Sequence, residues 1–198
     1  MQYFDWLKAD TSISTAQEKA VGAAAKDYCI SAMIYFKYHS EGLSVSSAVD
    51  EVTSETLKDY VAGRSGTLPN GVSIKGISAM LESDNTLRLY YNFKGVAPGD
   101  FRFAIDGKTI QLNRRSDGMY YLALPYGVYS NVLQNTHTYS ITFSTDDPNE
   151  TNTYTITASV LTYARSCAIK DGSKTVNDLG KALYLYNRAA VEAFGQQQ

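Results

Sequence analysis

The period of the hydrophobic pattern changes twice along this chain, and that change limits the fold more than any single motif. Between residues 14 and 62, apolar side chains recur at helical spacing, with Val21, Ala25, Tyr28, Ala32 and Phe36 on one stripe. Between 72 and 158 the spacing drops to two. In "LRLYYNF", Leu87, Leu89, Tyr91 and Phe93 share one face, and Arg88, Tyr90 and Asn92 share the other. From 159 to 194 the helical spacing returns. Strands segregated between helical ends predict an α+β chain.

The central region carries turn signals at short intervals: "ESDN", "APGD", "DG", "RSDG" and "DDPNE". They divide it into strands over 72–81, 87–94, 101–106, 109–113, 119–124, 138–145 and 152–158. Phe101, Phe103, Ile105, Ile110, Leu112, Tyr139, Ile141, Phe143, Tyr154 and Ile156 point inward on this pattern. About seven short strands predict an antiparallel, immunoglobulin-like sandwich, without the Cys–Trp–Cys core of antibody domains. Asp106-Gly107 predicts a hairpin and Pro69-Asn70-Gly71 a turn. The apolar set of the first strand switches from Val72/Ile74 to Ile77/Leu81, which predicts a bulge at Gly76. Residues 125–136, "PYGVYSNVLQNT", break the alternation and read as a loop or short helical turn. The expected regions are an N-terminal helical region (1–66), the sandwich (67–158) and a C-terminal helical hairpin (159–198).

Capping residues place the helices. Ser14 with Gln17, or Thr15 with Glu18, forms a capping box for the first. Gly42 is its expected stop. A second helix follows Thr53, with Leu57, Tyr60 and Val61 inward. Ser159 caps a third that ends at Asp171-Gly172; Thr175 with Asp178 caps the last, which Gly195 stops. The last helix carries Leu179, Leu183, Tyr186, Ala190 and Phe194 at the same offsets as Val21 to Phe36. The shared Tyr-Ala-Phe ending suggests two helices packed on each other, or the same element of successive repeats in a longer array. On this pattern Tyr186, Ala190 and Phe194 are buried, and Tyr184, Asn187 and Arg188 are turned away.

Composition narrows the partners. The net charge of -2 argues against nucleic acid, which needs concentrated Lys and Arg. Arg114-Arg115, the one tight basic pair, precedes "SDG" and reads as a hairpin tip. No run is apolar enough to span a membrane. Sixteen tyrosines beside one tryptophan favour sheets and contact surfaces, because tyrosine joins an apolar body to a polar tip. Cys29 and Cys167 lack any CxxC or metal-ligand neighbour and read as small buried hydrophobes; a bridge between them is left open.

"SVLTYARSCAIKDGSKTVNDLGKALYLYNRAAVEAFG" resembles the helical hairpin of large secreted or surface-anchored proteins of anaerobic gut Gram-positive bacteria. There a tyrosine-bearing helix and a short link precede "AL-x-x-Y-x-x-A-A-x-x-x-F-G". The matching positions are Tyr163, Ala182, Leu183, Tyr186, Ala189, Ala190, Phe194 and Gly195. "SGTLPNGVSIKGISAMLESDNTLRLYY" is similar to the sandwich that precedes the hairpin in those proteins. The resemblance implies an extracellular, cell-surface, non-catalytic repeat module of a modular protein. Some such proteins are immunoglobulin-binding and superantigen-like, so immunoglobulin is a candidate partner, alongside neighbouring repeats of the parent protein.

No motif of catalysis or cofactor binding stands out. His39 and His137 have no serine, cysteine or carboxylate in a recognisable pattern, and "AGRSG" is not a nucleophile elbow. No HExxH, P-loop or G-x-G-x-x-G occurs. The loop "STDDPNE" offers oxygens at Asp146, Asp147 and Glu150 but lacks EF-hand spacing and reads as a solvated tip. The expectation is a non-enzyme without cofactor or metal. The contact residues expected for a protein partner are Arg88, Tyr90, Asn92, Tyr121, Tyr126 and Tyr129, since Tyr and Arg are frequent hot spots. The competing expectation is that helices pack on that sheet face and bury these rings. A structural spacer or adhesin stalk, and a glycan-binding or carbohydrate-active accessory domain, are the alternative functions.

Overall fold

The computed structural model describes residues 15–81, 85–124, 128–144 and 150–195. Within them the chain is α+β, with strands in two antiparallel sheets of five and four and helices on both sides in sequence. These residues form two compact units. The helical unit takes in the described residues up to Val61, the stretch Tyr129–Gln134 and those from Leu161 onward. The strand unit takes in Ala62–Val128 and Asn135–Val160. The two helical ends of the sequence therefore meet in one unit, and part of the irregular stretch "PYGVYSNVLQNT" joins them.

In the helical unit, α1 (Ala16–Phe36) begins where the Thr15–Glu18 box predicts. Thr15 Oγ1 accepts from the Glu18 N–H at 3.2 Å, and Glu18 Oε2 accepts from the Thr15 N–H at 2.6 Å. It ends before Gly42: Lys37 turns left-handed (φ 55°), its N–H donates to Ile34 O, and the Tyr38 N–H donates to Met33 O. This is a Schellman closure made by lysine where glycine is usual. α2 (Ser47–Glu51) precedes Thr53, so the helix expected after Thr53 is instead a series of turns. There Leu57 is fully buried, Tyr60 half-buried, and Val61 exposed rather than inward.

α3 (Val160–Ala168) stops a turn before the expected Asp171-Gly172. α4 (Lys174–Phe194) starts too early for Thr175 to cap it. Asp178 instead pairs with Lys174 at 2.9 Å, and Asn177 Nδ2 donates to the Cys167 and Lys170 carbonyls that end α3. The α3–α4 crossing is close enough to need a glycine. A Cβ on Gly180 would run into the Ala164 carbonyl oxygen and come within 2.6 Å of the Ala168 nitrogen.

The matching stripes of α1 and α4 pack on each other. Tyr28 and Tyr186 hold the same slot and stack, with ring centroids 6.0 Å apart and planes 16° from parallel. Ala25 and Ala190 are buried beside them. The stripes do not bury their last member: Phe36 is 66% and Phe194 55% exposed. Asn187, expected to face away, is 3% exposed. Its Nδ2 donates at 2.6 Å to both the Ser130 carbonyl and Gln134 Oε1. Asn131 Nδ2 donates to Gly195 O, and Gln134 Nε2 to Asn131 O. A buried amide demands partners, and these three side chains fasten Tyr129–Gln134 to α4. Cys29 and Cys167 are free thiols.

The strand unit has β1 (Gly63–Ser65), β2 (Val72–Leu81), β3 (Asn85–Phe93), β4 (Arg102–Ile105), β5 (Lys108–Thr109), β6 (Asn113–Arg114), β7 (Tyr120–Ala123), β8 (His137–Ser144) and β9 (Thr151–Ala158). One sheet runs β1-β9-β8-β4-β5 and the other β2-β3-β7-β6. Leu87, Leu89, Tyr91, Phe103, Ile141 and Ile156 are buried as the alternation predicts. Fully burying each such side chain contributes about 1.5–3 kcal/mol. The two sheets meet through aromatic rings: Tyr91 lies 5.8 Å from Phe103, and Phe93 lies 5.7 Å from Phe101. The strand expected over 109–113 is two pieces, β5 in one sheet and β6 in the other, so the chain changes sheets between them.

Two turns follow from local chemistry. Asp106 (φ 51°) and Gly107 (φ 77°) make the β4–β5 hairpin turn with both central residues left-handed. The Asp106 carboxylate then accepts from the Thr138 N–H and meets His137 Nδ1, each at 2.7 Å, which clamps the hairpin to β8. The β2–β3 register shifts between Ile74 and Gly76, the expected bulge.

Gly180→Ala will lower the unfolding free energy by about 1–3 kcal/mol, because the helices must part to admit the methyl group. Urea unfolding measures it, and a surface control such as Lys181→Ala should change little. A second expectation concerns alkaline pH. Burial holds the hydroxyls of Tyr28, Tyr91 and Tyr163 above the ordinary tyrosine range, and raises the thiols of Cys29 and Cys167 as well. Each group keeps its proton longer folded than unfolded. Its contribution is therefore complete below the unfolded pKa and is lost as pH rises through the folded one. Stability should fall between about pH 9 and pH 11, where unfolded thiols and phenols ionise. In Tyr28→Phe the fall should be smaller. Stability at neutral pH should not drop, because the buried Tyr28 hydroxyl has no hydrogen-bond partner among the described residues.

Candidate functional site

The most chemically distinctive surface is the outer face of the β2-β3-β7-β6 sheet. Alternation along β3 sends Leu87, Leu89 and Tyr91 inward, so Arg88, Tyr90 and Asn92 take the other face. Pairing extends that face into rows. Gly76, Tyr90, Tyr121 and Asn113 lie opposite one another across the four strands, and Ser78, Arg88 and Ala123 form the next row.

Within these rows cations and rings alternate. Arg88 Cζ lies 4.8 Å from the centre of the Tyr121 ring. Tyr121 lies 5.6 Å from Tyr90, and Arg115 Cζ lies 5.8 Å from the Tyr90 ring. A cation–ring contact is worth about 0.5–1 kcal/mol where exposed and more where desolvated. Arg115 is aimed by its hairpin: its N–H donates to Met119 O at 2.8 Å, and its guanidinium meets Asp117 at 3.1 Å. On the opposite face of the sheet, in the row of the inward Tyr91, Arg114 stands 5.6 Å over Tyr120. Gly76 and Ala123, at the flanks of the two rows, offer no bulk beside the rings.

The expected contact residues fare differently. Arg88, Tyr90 and Tyr121 come together as one cluster. Tyr90 is only 8% exposed, so its ring supports the cluster more than it projects from it. Asn92 is exposed on the same strand, opposite Ser73. Tyr129 is 74% exposed but lies off the sheet, ahead of the 3-10 turn Ser130–Val132. Tyr126 lies outside the described residues, as do Asp146 and Asp147 of the acidic loop. Arg115 was absent from the expectation, because "RRSDG" reads as a bare hairpin tip. The signal for it was available: a hairpin centred on "SDG" returns Arg115 beside Tyr120-Tyr121.

Other features are accounted for by structure. A cleft of about 440 Å³ in the helical unit is lined by Ala20, Ala24, Asp27, Tyr184 and Arg188 among others. Its buried carboxylate, Asp27, is engaged by the Ser46 N–H at 2.8 Å and the Ser46 hydroxyl at 2.5 Å, and so anchors the start of α2. Arg188 is paired with Glu192 at 3.0 Å. Among the described residues, no three His, Cys, Asp or Glu side chains are grouped to hold a metal ion. Among the same residues, no helix is long and apolar enough to cross a membrane.

Chemically the arrangement offers rigid aromatic area at small entropic cost, edged by the Arg115 guanidinium, which Asp117 already engages. No protein-family model, curated protein or solved structure matches the chain.

Proposed function

We propose that this chain is a non-enzymatic, extracellular protein-binding module of a modular bacterial surface protein, and that the outer face of β2-β3-β7-β6 makes the contact. The observation that carries the reading is the alternation Arg88–Tyr121–Tyr90–Arg115 on one sheet face. Tyr and Arg are, with Trp, the residues enriched in interface hot spots. The extracellular, surface-protein setting and immunoglobulin as the first partner to test come from the resemblance carried by Tyr163, Ala182, Leu183, Tyr186, Ala189, Ala190, Phe194 and Gly195.

We read the strand unit as immunoglobulin-like. Lettered from β2, the sheet β2-β3-β7-β6 follows the order A-B-E-D, and β9-β8-β4-β5 follows G-F-C-C′, with β1 added beside G. That order supports the reading, as does the change of sheet between β5 and β6. In such folds a four-stranded face is a natural docking surface, and its use needs no catalytic group.

The experiment is surface-immobilised protein probed with purified immunoglobulins and their Fab and Fc fragments. Retention is expected, with Arg88→Ala and Tyr121→Ala each weakening it by about tenfold or more, as hot-spot truncations do. Circular dichroism and urea unfolding confirm that the variants fold. Wild-type protein that retains no immunoglobulin would remove this partner. Unchanged binding by both folded variants would remove this face.

A further inference from the structure

Among the described residues, Asp27 of α1 is the one charged side chain that is buried, at 8% exposure. Its contacts with the Ser46 N–H and hydroxyl satisfy hydrogen bonding, but both donors are neutral. Among the described residues, no Lys, Arg or His forms an ion pair with it. A buried charge is ordinarily paired with an opposite one. Each carboxylate oxygen can accept more than one hydrogen bond, so Asp27 keeps acceptor capacity beyond Ser46.

Asp27 lines the cleft of about 440 Å³ in the helical unit, a size that suits a small ligand. Ala20 and Ala24 of α1 and Ala189 of α4 give the cleft a lining of small apolar side chains. An unbranched alkyl stem can lie along such a surface while its charged end finds a polar partner. The charged lining is three carboxylates, Asp27, Glu51 and Glu192, against one guanidinium, Arg188, so two negative charges are left over. Arg188 is already engaged by Glu192, and Glu51 is exposed. Among the described residues, no three His, Cys, Asp or Glu are grouped to hold a metal ion, so this charge is spread along the cleft. A dication with separated charges matches that distribution.

We propose that the cleft binds an unbranched aliphatic diamine. One ammonium donates to Asp27, the stem lies on the alanines, and the second ammonium faces Glu51. The lining comes from α1, from α2 with the turns after it, and from α4, so the ligand ties these segments together and stabilises the folded unit by mass action. The site is separate from the protein-contact face proposed above and does not depend on it.

Titrating cadaverine into isotopically labelled protein, followed by backbone amide NMR, tests the site. Saturable shifts are expected at Asp27, Ser46 and Ala189. The diol analogue, uncharged and of equal length, should bind at least about tenfold more weakly, the value of one hydrogen bond to a charged group. Asp27→Asn keeps the side-chain shape and an acceptor for the Ser46 N–H, and should weaken cadaverine by about the same factor while urea unfolding shows a folded protein. Glu51→Gln, at an exposed site, gives a second reading: cadaverine should weaken by about two- to fivefold, as for a surface ion pair, and the diol should not change. No saturable shift with cadaverine, equal binding of the diol, or unchanged affinity in both variants would overturn the proposal. An Nα-acetyl-lysine amide that binds as tightly as cadaverine would also overturn it, giving the cleft to a lysine of a partner protein.

Discussion

The stacking of Tyr28 on Tyr186 is the contact on which the helical unit depends. It joins α1 to α4, helices from opposite ends of the sequence, with the strand unit between them in the chain. Alanines at 25 and 190 are buried at the same interface, where small side chains let helices approach. Closing so long a loop costs entropy that must be recovered by packing, and two long helices with matching stripes recover it over many turns. The third piece, Tyr129–Gln134, is then held on α4 by Asn187, Asn131 and Gln134. Gly180 performs the equivalent service for α3, by letting its backbone approach α4 closely.

The strand unit is governed by different physics. Its interior is aromatic, with Tyr91, Phe93, Phe101 and Phe103 in ring-to-ring contact between the sheets. The other face of the β2-β3-β7-β6 sheet carries a second, polar aromatic system in which guanidinium groups lie over the rings. Phenol rings therefore serve two purposes on adjacent positions of β3: Tyr91 fills the core and Tyr90 supports the guanidinium groups. The tyrosine-rich composition is thereby divided between the core and the other face of the same sheet.

The strand pattern was legible in the sequence because period-two alternation is a local property. Leu87, Leu89 and Tyr91, the Asp106-Gly107 turn and the Gly76 bulge all follow from neighbours in the chain. The Thr15–Glu18 box is equally local. What escaped depends on distant partners. Asn187 looks like a solvent-facing polar residue until Ser130 and Gln134 arrive from another part of the chain. Thr175 looks like a cap until Asn177 and Lys174 take over that end of α4. Gly42 looks like a stop, but Lys37 accepts the left-handed turn first. In the site, Arg88, Tyr90 and Tyr121 were legible from alternation alone. Arg115 follows from the hairpin centred on "SDG", the turn that pairs β6 with β7.

Native-state hydrogen exchange tests most directly whether the two aromatic helices form one unit. Amides in the middle of α1 and α4 should open with a common free energy, and Tyr28→Ala should lower it by the same amount in both helices. If α4 keeps its full protection while α1 alone is loosened, the helices are independent elements, and the matched stripes have another origin.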